Sequence, residues 1–131
     1  MNKQRSLIFL LVGDVTAVLV VSIVGFASHQ LSVFNPRLLA TFFPMLTGWL
    51  AAAPWLGLYD PSVRCRVSSW WRVLLAVALA APLAAWLRAL WLGGAPIQPV
   101  FVAVLGGVSA VGMLLWRLLW AFVCVRNLKN G

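Results

Sequence analysis

Residues 7–27 read LIFLLVGDVTAVLVVSIVGFA, an apolar run whose only charge is Asp14. An α-helix rises 1.5 Å per residue, so about 20 apolar residues cross the ~30 Å hydrocarbon core of a bilayer. Three further runs of this kind follow, at about 38–58, 70–92 and 99–125. Turn and cap signals separate them. Asn35-Pro36 offers a cap and a first-turn proline for the second helix, and Tyr59-Asp60-Pro61-Ser62 stops it. Ser68 and Ser69 can cap the third helix; Gly93-Gly94-Ala95-Pro96 ends it, and Gln98-Pro99 starts the fourth. Loops this short make neighbouring helices antiparallel. The expectation is one domain over residues 1–131, an all-α membrane protein folded as a four-helix transmembrane bundle.

Composition points the same way. Of 131 residues, 63% are hydrophobic and 9% charged, against about 25% charged in a soluble domain. Mean hydropathy is +1.00. Lysine and arginine set the expected orientation. Lys3, Arg5, Arg64, Arg66, Arg72, Arg126 and Lys129 fall on one side and Arg37 on the other. That bias predicts a membrane protein with both termini and the middle loop in the cytoplasm. A cleaved signal peptide is the competing reading of the first run, but Asp14 and the full spanning length argue against it.

A net charge of +8 would suit nucleic acid, yet the basic residues sit at the ends of apolar runs. Anionic lipid headgroups on the cytoplasmic side are the nearer partner, and no nucleic acid is expected. Two cysteines, Cys65 and Cys124, and one histidine cannot supply the four ligands of a structural zinc site. No metal site and no cofactor are expected. Both cysteines fall on the cytoplasmic side, where reduced thiols are expected.

The charges inside the apolar runs are the informative ones. Asp14 lies seven residues into the first run and Arg117 eight residues from the end of the fourth, about 10 and 12 Å deep at 1.5 Å per residue. Either charge alone costs roughly 2.5–3.5 kcal/mol near a helix centre. Arg117 shares a face with Met113, Ala110 and Gly106, and Asp14 with Ala17, Val18, Val21 and Gly25. Small residues mark close helix contact. The expectation is an Asp14–Arg117 ion pair joining helices one and four, with a structural role favoured over a proton relay because no second intramembrane carboxylate exists.

Arg88, near the outer end of the third run, has no carboxylate on its side. Snorkelling to a lipid phosphate, bonding to helix carbonyls and holding an anionic ligand are its three readings. His29, at the outer end of the first run, is either hydrated or a ligand to a tetrapyrrole metal. Trp70, Trp71, Trp91 and Trp120 suit an interfacial belt, whereas Trp49, Trp55, Trp86 and Trp116 lie deeper and suit packing. Pro44, Pro54 and Pro82 lie inside helices, where each frees a backbone carbonyl.

Gly13-Asp14, Ser28-His29, the stretch Thr41-Phe42-Phe43-Pro44-Met45-Leu46-Thr47-Gly48-Trp49, Pro54 with Leu56-Gly57-Leu58-Tyr59, Pro82 with Leu87-Arg88, and Trp116-Arg117 form a further pattern. In order and spacing it resembles an uncharacterised family of small prokaryotic membrane proteins, domain of unknown function number 3054. The pattern departs at Gly25-Phe26-Ala27, where the family carries a basic residue. The resemblance implies four spans and no particular activity.

Three functions compete. A non-enzymatic accessory or assembly component of a membrane complex, with membrane-protein partners or copies of itself, fits the small size and small-residue faces. An oligomeric small-solute or ion/proton-coupled transporter is the alternative. Small multidrug resistance transporters are similar in having four spans and an acidic residue in helix one, although a seven-to-one charge bias opposes their antiparallel assembly. A lipid-modifying enzyme lacks an acid, base and nucleophile set, so no enzyme is expected.

Overall fold

A computed structural model describes residues 3–28, 37–94, 96–97 and 99–130. Four helices make up nearly all of it: α1 (Lys3–Ser28), α2 (Arg37–Trp55), α3 (Trp70–Trp91) and α4 (Pro99–Asn130). A short 3₁₀ turn, Val67–Ser69, leads into α3. No strand occurs among the described residues. All four helices are long and apolar enough to cross a membrane.

Each helix packs against its neighbour in the chain, and α4 returns to pack against α1. The tightest seam is α2 on α3. Its α3 side is a run of small residues, Ala76, Ala80 and Ala84, all buried. The i, i+4 spacing keeps them on one face. Gly48 of α2 faces that stripe so closely that a Cβ there would lie 2.8 Å from the Ala80 carbonyl oxygen. Small side chains are what let two helix backbones approach this far. Leu10, Val18, Met45, Trp49, Val73, Val77 and Met113 fill the centre.

Helix ends differ from the sequence expectation where backbone chemistry intervenes. Helix α2 stops at Trp55, three residues short of 58. Gly57 has φ of +72°, and the Gly57 and Leu58 amides donate to the carbonyls of Pro54 and Ala53. This is a Schellman stop, in which a left-handed glycine lets the last carbonyls be satisfied. Gly93 and Gly94 (φ +81° and +86°) end α3 similarly, with the Gly94 amide donating to Ala89. Ser69 sits at the α3 N-cap without bonding forward; its hydroxyl donates back to the carbonyls of Arg66 and Val63, 2.6 and 3.3 Å away. Helix α4 runs on to Asn130, past the expected 125.

The expectation of reduced thiols is corrected. Cys65 in the 56–69 loop and Cys124 in α4 form a disulfide, with Cα atoms 5.6 Å apart.

Candidate functional site

Asp14 lies on the inner face of α1 and is wholly buried. It accepts five hydrogen bonds. Arg117 of α4 contributes two, from Nη2 to Oδ2 at 2.7 Å and from Nε to Oδ1 at 3.1 Å. Trp116, the preceding residue, donates its indole N–H to Oδ1 at 2.8 Å. Trp49 of α2 donates to Oδ2 at 3.1 Å, and the Tyr59 hydroxyl donates to the same oxygen. A carboxylate offers about four lone-pair sites, so this one is saturated. The Trp49 N–H is shared with the Tyr59 oxygen, 3.1 Å away.

Local sequence sets this geometry. Trp116 can reach Asp14 because residue 13 is glycine: a Cβ there would lie 1.8 Å from Trp116 Cζ2. Tyr59 reaches it because the left-handed turn at Gly57 folds the chain back beneath α2. The same turn points the Leu58 carbonyl inward, where it accepts from Arg117 Nη1 at 3.0 Å. The guanidinium also lies 5.0 Å from the Tyr59 ring centre and 5.6 Å from that of Trp49, a cation–π arrangement. Thus Arg117 touches α1, α2 and the following loop from α4. Burial, with the Asp14 carboxylate beside it, pushes the Tyr59 phenol well above its ordinary value. The hydroxyl therefore stays a donor.

Burying an ion pair costs several kcal/mol per ion, offset only when geometry is good and the remaining lone pairs are filled. Both conditions hold here. The structure thus brings Asp14 and Arg117 together. Hydropathy missed Tyr59, Trp49 and Trp116, which it read as turn or packing residues. The available signal was polar: each carries a single N–H or O–H that needs a partner when buried.

Arg88 lies elsewhere, half-buried, donating to Thr41 Oγ1 at 3.2 Å with its guanidinium 4.6 Å from the Phe101 ring centre. These are neutral partners on α2 and α4. His29 lies outside the described residues. Two tryptophans expected to pack inside face outward instead, Trp55 at 80% and Trp86 at 53% exposure. Trp120, expected at an interface, is buried, and its indole N–H has no hydrogen-bond partner among the described residues.

At the end of the molecule holding the 56–69 loop, Arg64, Arg66 and Ser69 line a small cleft together with Leu114, Arg117 and Leu118 of α4. Its accessible volume, about 10 Å³, suits about one water. Asp60 stands exposed in the same loop. It accepts from the Ser62 amide and hydroxyl at 3.0 and 2.9 Å, and these bonds hold its carboxyl below the usual range.

Four long apolar helices, three of them contributing to one saturated carboxylate–arginine cluster, define an all-helical protein. The chain belongs to the family described as protein of unknown function (DUF3054), whose pattern it matches over residues 11–120. That span takes in Asp14, Trp49, Tyr59, Trp116 and Arg117. It is also similar to the "Uncharacterized 9.3 kDa protein in nqo2 3'region" of Paracoccus denitrificans, 39% identical over 56 residues, 43% of this chain and 64% of that protein. The chain thus spans less than two thirds of that relative's length. No solved structure matches it.

Proposed function

We propose that this chain is a multi-pass membrane protein that serves as a non-enzymatic accessory or assembly component of a larger membrane complex. The observation that carries the reading is the saturation of Asp14. Five donors fill its oxygens, and the other carboxylate of the sequence, Asp60, stands exposed in a turn. A proton carrier needs an acceptor site that opens and closes; a group tied to three other elements suits a rigid joint. The outer surface supports the second half of the proposal. Helices α1 and α4 bury the smallest shares of their apolar length. Val100, Val111, Leu115 and Phe122 on α4 and Ile8, Phe9 and Val12 on α1 stay open to lipid or to partner helices.

In this reading the helices form a transmembrane bundle in a prokaryotic plasma membrane. Both termini face the cytoplasm, where seven basic residues meet anionic headgroups. At the opposite end Arg88 reaches a lipid phosphate or another anion.

Native extraction in mild detergent tests the role. The expected result is a stable assembly with other membrane proteins at fixed stoichiometry. A chain that purifies alone and gives Asp14-dependent flux in proteoliposomes would overturn the proposal in favour of a transporter. Reporter fusions at the C-terminus test the orientation.

A further inference from the structure

The two cysteines stand 59 residues apart in sequence, yet the fold joins them. Both are half-buried, so small reagents reach them. Their bond ties the 56–69 loop to the last turns of α4. Both elements contribute to the small cleft that Arg117 also lines, the loop through Arg64 and Arg66 and α4 through Leu114 and Leu118. The same end of the molecule carries Lys3, Arg5, Arg64, Arg66, Arg72, Arg126 and Lys129.

A disulfide at that end meets a specific environment. Cytoplasmic glutathione and dithiol proteins keep thiols reduced, so disulfides formed there are mostly transient, catalytic or redox-sensing. Cys65 stands between Arg64 and Arg66, and Cys124 two residues before Arg126. Positive charge beside a thiol favours the thiolate, the species that enters exchange. The fold does not depend on the bond alone at this seam, because Arg117 also holds the loop through the Leu58 carbonyl at 3.0 Å.

We propose that Cys65 and Cys124 form a reversible dithiol–disulfide site that clasps the 56–69 loop to α4 when oxidised and frees the mouth of the arginine-lined cleft when reduced. The proposal rests on the cytoplasmic orientation proposed above. Its co-reactant is a cytoplasmic dithiol. A donor thiolate attacks one sulfur, the Cys65–Cys124 bond breaks and a mixed disulfide forms. The second donor thiol then displaces the remaining cysteine. Two electrons and two protons pass to the pair, and the donor leaves as its own disulfide. A disulfide oxidant runs the same steps in reverse.

The test uses the full chain in its own membranes, acid-quenched and then labelled with a maleimide polymer that adds a fixed mass per free thiol. A C-terminal reporter on the same chain reads orientation. Two additions are expected in growing cells, none after diamide, and two again after dithiothreitol. Cys65→Ser and Cys124→Ser should each show one addition under every condition. Two additions persisting after diamide would overturn the proposal, as would a disulfide-linked dimer in place of the intramolecular bond. So would no additions in unstressed cells with a cytoplasmic reporter, because the bond would then be permanent. A permanent bond with an external reporter would overturn the orientation itself and the proposal with it, so the reporter separates the two failures.

Discussion

Gly13 and Trp116 interlock: the indole ring of Trp116 occupies the space that any side chain at position 13 would need, with Cζ2 only 1.8 Å from where a Cβ would stand. The contact belongs to the carboxylate cluster, because the same indole donates to Asp14 at 2.8 Å. Gly13→Ala therefore pushes a rigid ring away from its acceptor. Overpacking costs about 1–3 kcal/mol, and losing a hydrogen bond to a charged group costs about 1.5–3 kcal/mol. A clear fall in melting temperature in detergent is expected, partly recovered by adding the smaller Trp116→Phe. Equal melting of Gly13→Ala and wild type would show that the interlock carries no weight.

The ion pair makes a sharper demand. Removing one partner of a buried pair leaves an uncompensated charge and costs about 3–5 kcal/mol, whereas removing both costs much less than the sum. Asp14→Asn and Arg117→Leu should each impair assembly strongly, and the double variant should assemble better than the worse single one. A double variant no better than that single one would refute the pairing as an energetic unit.

Gly57 tests the turn that delivers Tyr59 and the Leu58 carbonyl to the cluster. A non-glycine residue in the left-handed region costs roughly 1–2 kcal/mol, and a Cβ here would also stand 3.1 Å from Arg72 Nη1. Gly57→Ala should lower stability by about that amount, and Gly57→Asn by less, since asparagine tolerates this conformation better. The ranking of the three melting temperatures is the measurement.

Much of this joint was legible in the sequence, for a physical reason. A charge within an apolar run must find a partner, and Asp14 and Arg117 stand at matching depths on faces lined by small residues. The other contributors were hidden by the same logic. Reading the second helix through residue 58 places Tyr59 beyond its end, and only the reversal at Gly57 brings that hydroxyl back. Their depth in the apolar runs marks Trp49 and Trp116 for packing but says nothing of which edge of the indole meets the carboxylate. The Cys65–Cys124 pairing joins residues 59 apart in sequence, and no local cysteine motif announces it.

Asp60 predicts a narrow pH dependence. Its carboxyl titrates below the ordinary value because the Ser62 amide and hydroxyl bond to the charged form. A lowered folded-state pKa contributes stability that is present above the unfolded value near 3.8 and lost as pH falls through the folded one. Stability should therefore be flat with respect to this group from pH 7 to about 5 and decline below about pH 4. Asp60→Asn should remove that acid-side step and leave the neutral range unchanged. An identical acid profile in the variant would assign the step elsewhere.

Tyr59→Phe separates a joint from a conduit. The substitution keeps the ring beside Arg117 and deletes only the hydroxyl that donates to Asp14 and accepts from Trp49. Trp49 retains its own bond to Asp14 at 3.1 Å, so four donors remain on the carboxylate. Losing one hydrogen bond to a buried charge costs about 1.5–3 kcal/mol, less than the loss expected for Arg117→Leu. If the cluster is a structural joint, melting temperature falls accordingly, and proteoliposomes carrying wild type or variant show the same background ion leak. If the variant instead keeps wild-type stability and abolishes a flux that also depends on Asp14, the hydroxyl lies on a transport path and the accessory role fails. The two readouts come from one preparation, so loss of folded protein cannot be mistaken for loss of transport.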